Sequence, residues 1–237
     1  MDPARHLAHL RLDSDGLLAS YRADPSAAVP CCPGWDRATL LAHVGRTHDW
    51  VRLQVERGPA ERVRFGETAP APEGERLIGW FEGGATALID ALGSMDVEAT
   101  WPTWAGPQPG TFYPRRMAQE TAVHRRDADP APFDPELGVD GVNELLELFA
   151  PLAAADKLAG RTGSIHLHAT DADGEWLVHL TPEGIRFEHG HAKGDVALRG
   201  TAGDLLLWGW NRVPADDRFE VLGDAALLEI WRTAVSI

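Results

Sequence analysis

The chain has 237 residues, of which 44% are hydrophobic and 24% charged, so it can build one large domain or two small ones around an ordinary core. Lys and Arg total 22 against 36 Asp and Glu, and the formal charge of −14 offers no positive field for a nucleic-acid backbone. These values exclude a disordered tail, a fibre and a nucleic-acid-binding protein.

The sequence also bears on location. No stretch approaches the ~18 consecutive apolar residues of a membrane span, and the N-terminus lacks the apolar core of a secretory signal. The two cysteines, Cys31 and Cys32, are neighbours that could close only a strained ring, which excludes a disulfide framework. We therefore expect a cytoplasmic protein without a membrane partner.

Helical periodicity dominates the first part of the chain and predicts an up-and-down bundle. The predicted helices cover residues 7–21, 36–57, 73–92, 114–129 and 142–158. Asp36 is placed to cap the second helix, and Pro114 suits the first turn of the fourth. Residues 101–110, rich in Trp, Pro and Gly, are predicted as an ordered loop.

After Gly160 the apolar positions alternate, which is typical of short strands. The predicted strands contain residues 165–167, 176–180, 185–187 and 196–198 and are followed by helices over 201–210 and 224–234. Tight turns between the strands favour an antiparallel meander covered by helices on one face. The predicted architecture is a helical bundle over 1–160 and a small antiparallel-sheet α+β domain over 161–237.

The fourth helix carries ionisable residues where a core helix would carry Leu or Val. Glu120 and His124 stand four residues apart on its inward stripe, so their Cβ atoms lie ~6 Å apart on one face. His43 interrupts the apolar stripe of the second helix in the same way, whereas His48 is about 140° further round that helix and is left out. We predict His43, Glu120 and His124 as candidate metal ligands.

This ligand set is typical of catalytic zinc and of non-haem iron sites, which keep a coordination position open. A buried Glu–His hydrogen bond would satisfy the same groups without a metal, so the spacing alone leaves both readings open. The remaining histidines give no second site by this reasoning. His166, His168 and His179 alternate with apolar residues as on a solvated sheet face, and His191 lies beside a turn.

Other residues allow two interpretations each. Cys32 is either a redox thiol at the start of the second helix or a small buried residue in a turn. Trp101 and Trp104 either line a pocket or cap the bundle. Arginine side chains can bind dicarboxylates, but they more often lie on the solvated surface. Both interpretations are open for four residues, Arg125, Arg126, Arg199 and Arg212.

Several segments together resemble the mycothiol-dependent maleylpyruvate isomerase family. Near the N-terminus these are Cys32–Trp35 and Leu40–His43, and in the fourth helix the segment Glu120–Asp127. In the C-terminal part they are Thr201–Trp208, Asn211–Arg212 and Val221–Asp224. The resemblance implies a DinB-like metal-binding four-helix bundle followed by a sterol-carrier-like domain.

The resemblance also implies a divalent metal, zinc above all, held by His43, Glu120 and His124, with Asp127 orienting a ligand. Arg126 stands where the family often has an aromatic residue, which leaves the substrate open. The implied chemistry uses mycothiol or a similar low-molecular-weight thiol on a small electrophilic substrate, either for cis–trans isomerisation or for S-transfer. The alternative is a non-catalytic module that binds a metal or a small ligand.

Overall fold

The computed structural model describes residues 1–152, 155–158 and 160–235, and the chain divides into two compact units, Met1–Ala131 and Pro132–Ile237. The boundary predicted after residue 160 therefore falls inside the second unit. Pro130 and Pro132 bracket the observed boundary because neither can continue the preceding helix. The segment after it belongs with the sheet, since the indole N–H of Trp176 donates a 2.6 Å hydrogen bond to Asn143 Oδ1.

Residues 1–131, all of which the structure describes, form four α-helices. These are α1 (Pro3–Ala23), α2 (Arg37–Arg57), α3 (Arg76–Ser94) and α4 (Phe112–Ala128). The Asp36 carboxylate accepts a 2.8 Å hydrogen bond from the backbone N–H of Thr39, so the predicted cap of α2 is confirmed. The helical character of this part of the chain is confirmed as well.

The apolar faces of these helices form a common core. Helix α1 packs on α4, and α2 packs on α3. Leu17, Leu40 and Phe81 are at most 1% exposed in this core. A Cβ atom at Gly45 of α2 would lie 2.4 Å from the Trp80 ring, so glycine allows α2 and α3 to approach closely. This packing fixes which faces of α2 and α4 remain for polar side chains.

The segment predicted as a loop between α3 and α4 is a short β-hairpin. Strand β1 (Thr100–Thr103) pairs antiparallel with β2 (Gly106–Pro109). Its prolines are tolerated because each strand has one free edge. Trp101 is buried and donates to the carbonyl of Asp96, which favours a packing role for this residue.

The fifth predicted helix differs from the structure. Helix α5 (Pro135–Glu144) begins earlier, where the Asp134 side chain accepts the Leu137 N–H. It continues as a π-helical turn (Leu145–Phe149), a 3₁₀ turn (Ala150–Leu152) and the short α6 (Ala155–Leu158). Pro151 lacks the N–H that an uninterrupted helix would need. Residues 153 and 154 of the predicted helix lie outside the described residues.

Within the described part of the second unit, five strands form one sheet. They are β3 (Gly163–Ala169), β4 (Glu175–Thr181), β5 (Gly184–His189), β6 (Val196–Gly200) and β7 (Glu220–Gly223), in the order β5-β4-β3-β6-β7. The β3-β4-β5 meander is antiparallel as predicted, and β7 pairs antiparallel with β6. However, β6 runs parallel to β3, because the chain crosses over after β5 instead of turning back beside it.

Helices α7 (Ala202–Gly209) and α8 (Ala226–Ala234) follow β6 and β7 respectively. The predicted helix start at Thr201 is confirmed, because its hydroxyl accepts the Asp204 N–H. The indole rings of Trp208 and Trp231 stack with centroids 5.4 Å apart. Among the described residues, no helix combines the length and the hydropathy needed to cross a bilayer.

Candidate metal centre

Side chains from α2 and α4 converge at one point of the helical unit. The Nε2 atoms of His43 and His124 lie 3.5 and 3.3 Å from Oε1 of Glu120, and donor atoms of the three residues all lie within 4.8 Å of one another. A tetrahedral cation at about 2.0–2.1 Å from its ligands separates those ligands by roughly 3.3 Å. The structure thus brings together the three residues selected from the sequence, at a spacing that suits a cation.

The group opens toward solvent on one side. The side chain of His43 is 36% exposed, that of Glu120 20%, and that of His124 10%. The Trp35 ring lies 5.1 Å from the His43 ring and borders this open side. A small molecule can therefore reach the donor atoms past His43.

Glu120 is oriented by an arginine that sequence reasoning missed. Arg116, one helical turn earlier and buried, donates a 2.8 Å hydrogen bond to Oε2 of Glu120 and leaves Oε1 facing the imidazoles. Burial alone would raise the pKa of Glu120, but His124, His43 and Arg116 hold the pKa well below its ordinary value. The carboxylate is therefore ionised at neutral pH. The signal in the sequence that could have identified Arg116 is its position four residues before Glu120, which places both side chains on one face of α4.

His124 is oriented by Asp127, the acidic position singled out in the sequence. Nδ1 of His124 donates to Oδ2 of Asp127 at 2.8 Å, so Nε2 faces Glu120. Burial would lower the pKa of His124, but the charges and hydrogen bonds of Glu120 and Asp127 raise it to about 9. In the metal-free protein His124 thus carries a proton at neutral pH, and a cation at Nε2 would have to displace it.

His48, left out of the predicted ligand set, lies in the core of the bundle. Its Nε2 is 2.8 Å from the Thr121 hydroxyl, and its ring lies 5.6 Å from the Phe81 ring. Burial lowers the pKa of His48 to about 4, so the ring is neutral. His48 does not belong to the convergent group.

Two thiols approach Asp127 from the turn that precedes α2. The Sγ atom of Cys31 lies 3.1 Å from Oδ1 of Asp127, and that of Cys32 lies 3.9 Å from Oδ2. Both cysteines are reduced and half-buried. Of the two, only Cys32 was a candidate from the sequence, because the contact of Cys31 with α4 depends on how the turn folds.

Of the four arginines considered for dicarboxylate recognition, Arg212 contacts the Trp210 carbonyl at 3.4 Å and the other three contact acidic residues. Arg126 pairs with the buried Asp13, and Arg199 pairs with Glu220 across β6 and β7. Arg125 lies 3.5 Å from an Asp129 carboxylate oxygen. Arg116, by contrast, contacts Glu120 of the candidate centre.

Comparison with known proteins identifies the family of this chain. The chain matches the mycothiol maleylpyruvate isomerase N-terminal domain model over residues 7–129 and the MDMPI C-terminal domain model over residues 136–229. No significant match was found among curated proteins.

Solved structures agree on the fold. The crystal structure of the mycothiol-dependent maleylpyruvate isomerase is similar with a TM-score of 0.58 at 15% identity, over 93% of both chains. A histidine-to-alanine mutant of that enzyme gives the same TM-score at 14% identity, also over 93% of both chains. Since the N-terminal family model alone spans more than half of the sequence, this chain belongs to the mycothiol-dependent maleylpyruvate isomerase family.

Proposed function

We propose that the protein is a metal-dependent enzyme that uses mycothiol, or a similar low-molecular-weight thiol, for cis–trans isomerisation of a small electrophilic substrate or for S-transfer to it. The observation that carries the proposal is the convergence of His43, Glu120 and His124 beside an opening to solvent. Family membership supports the thiol, and the donor geometry supports the metal. The centre lies wholly in the helical unit, residues 1–131, which we propose as the catalytic domain.

The donor set fits a divalent cation of the zinc type. Two imidazoles and one carboxylate are the ligands of catalytic zinc, and three protein ligands leave a position for a further group. Arg116 and Asp127 hold Glu120 and His124 with one donor atom of each turned inward, as outer partners of metal ligands do. A cation in this position would supply a lowered pKa to a coordinated thiol and so favour the thiolate at neutral pH.

The remaining chemistry follows from the thiol. Addition of a thiolate to an activated double bond leaves a single bond that can rotate, and elimination returns the thiol with the trans product. S-transfer would use the addition alone, with a proton from solvent neutralising the carbanion that the addition leaves. In this proposal the external thiol is the nucleophile, and the exposed edge of His43 beside Trp35 marks where it enters. A reduced thiol cofactor also favours a reducing compartment such as the cytoplasm.

The proposal is tested by metal content and turnover on the same preparations. Untagged protein purified without added metal should contain close to one equivalent of zinc or a similar ion at this centre, and should turn over maleylpyruvate when mycothiol is present. His124→Ala should contain about one equivalent of metal less than the unsubstituted protein and should lose the turnover, while His179→Ala, a histidine of the sheet, serves as the matched control. Full turnover by a metal-free preparation would contradict the proposal.

The alternative is a non-catalytic binding module with a buried polar cluster. It draws on the fact that Glu120 already has polar partners in His43, His124 and Arg116 without any cation. In that case Glu120→Ala would lower the melting temperature and leave thiol chemistry unchanged. Loss of turnover in a Glu120→Ala variant that retains its fold would eliminate this alternative.

A further inference from the structure

A second convergence of donor atoms lies in the sheet unit. It consists of His166 and His168 on β3, Glu175 at the start of β4, and His191 just after β5. Donor atoms of all four residues lie within 4.8 Å of one another. Sequence reasoning took the strand histidines for a solvated face, yet the side chain of His166 is only 7% exposed.

The sheet register produces this cluster. His166 and His168 are two residues apart, so both project from the same face of β3. His168 pairs directly with Glu175 of the neighbouring antiparallel strand. Gly190, with φ of 117°, turns the chain after β5 and brings His191 back to Glu175.

The contact distances, which are those of hydrogen bonds, are slightly shorter than the separations between ligands in a coordination shell. Oε2 of Glu175 lies 3.1 Å from Nε2 of His166 and 2.7 Å from Nδ1 of His191, while Oε1 lies 3.0 Å from Nδ1 of His168. These separations are close to the roughly 3.3 Å between ligands of a tetrahedral cation. Only small side-chain adjustments would be needed to admit an ion.

The donor chemistry also favours a cation. Three imidazoles crowd one carboxylate, and the His166 ring centroid lies 5.1 Å from that of His191 and 6.0 Å from that of His168. Without a cation each ring must donate a proton to the same two oxygens, whereas an ion would accept a lone pair from every ring. Imidazole with carboxylate suits zinc and its neighbours in the first transition row.

An entry path is present. Glu175 and His191 line a surface cleft of about 370 Å³, and the His191 side chain is 79% exposed. A cation can therefore reach the group from solvent, and His191 can adjust as it binds.

We propose that His166, His168, Glu175 and His191 form a second divalent-cation site of the zinc class, which ties the segment after β5 to β3 and β4. Four protein donors fill a tetrahedral shell, so the site is of the closed, structural kind. None of these residues belongs to the centre in the helical unit, so the inference does not depend on the proposed enzymatic function.

Zinc binding by the untagged full chain tests the inference. The background is His124→Ala, which disables the helical-unit centre and leaves the sheet cluster intact. This variant should bind one equivalent of Zn²⁺ by titration calorimetry. Addition of His168→Ala and His191→Ala should weaken that binding by at least ~100-fold, more than the loss of an outer-shell partner would. Addition of His179→Ala should leave it unchanged, because His179 contacts Glu188 on the same sheet and lies outside the cluster.

Glu175→Gln provides a second variant that conserves size, and its zinc affinity should also fall. Circular dichroism and melting curves taken with chelator establish that each variant folds. Absence of Zn²⁺ binding in the His124→Ala background, or equal affinity after the paired histidine substitutions, would overturn the site and identify the cluster as a hydrogen-bonded group. Failure of the helical-unit centre to bind metal would leave these results unaffected.

Discussion

Replacement of Asp127 by asparagine should weaken zinc binding at the helical-unit centre by ~10- to 100-fold, as expected for an outer partner of a ligating histidine. The Asp127 carboxylate accepts Nδ1–H of His124 at 2.8 Å on one oxygen and faces the Cys31 thiol at 3.1 Å with the other. Asparagine retains the shape but offers one acceptor instead of two. His124 then loses the negative charge that strengthens its Nε2 as a donor, and it also loses its orienting hydrogen bond where the amide NH₂ group faces Nδ1.

The expected loss corresponds to about 1.4–2.7 kcal/mol of binding free energy. Competition against a chromophoric chelator at fixed pH measures the zinc dissociation constant directly. The matched control is Asp129→Asn, because Asp129 is 44% exposed and its carboxylate contacts Arg125 and Ser20 outside the convergent group. Equal zinc affinities for wild type and Asp127→Asn would refute the reasoning that Asp127 prepares His124 as a ligand.

Three further outcomes follow from the same contacts. The pKa of His124 is raised from 6.5 to about 9, so its protonation should stabilise the metal-free protein fully below pH 6.5. This contribution of ~3 kcal/mol to the free energy of unfolding should disappear as the pH rises through 9. Urea unfolding in the presence of chelator, below pH 6.5 and above pH 9, measures the difference in unfolding free energy, and His124→Gln should abolish it. Arg116→Gln removes the cation paired with Glu120, so zinc should be released at a higher pH on acidification and bind ~10-fold more weakly. Cys31→Ser should leave zinc affinity within about threefold, since the thiol contacts Asp127, which is outside the predicted ligand set; a larger loss would indicate that the thiols hold the ion.

The helical part of the site could be predicted because helix geometry converts short sequence distances into spatial ones. Glu120 and His124 meet for that reason, and an extension of the same spacing leads to Arg116. The contact of His43 with Glu120 was indicated only indirectly, by a polar residue on an apolar stripe of α2. No sequence pattern indicated the contact between Cys31 and Asp127, because that contact depends on where the turn before α2 lies against α4.

In the fold as well, features set by neighbouring residues were predictable and features set by distant contacts were not. Caps such as Asp36 and the alternating apolar residues of β4 are local features, and they were predicted from the sequence. The parallel pairing of β3 with β6 depends on a crossover that no local pattern encodes. Pro151 is itself a local signal that the predicted helix 142–158 is interrupted. The helical spacing of the apolar residues around it nevertheless favoured a continuous helix.

The histidine cluster of the sheet shows why strand sites are harder to recognise from sequence than helical ones. Its composition depends on the register that pairs His168 with Glu175, and the turn between β3 and β4 sets that register. A slip of one residue would turn Glu175 to the opposite face and leave the histidines without a carboxylate. Alternation of polar and apolar residues is identical in both registers, so it predicts a polar face without predicting which polar groups meet. The turn at Gly190 adds His191 by a second geometric condition of the same kind. A four-residue donor set that needs both conditions can therefore be identified only once the strands are paired.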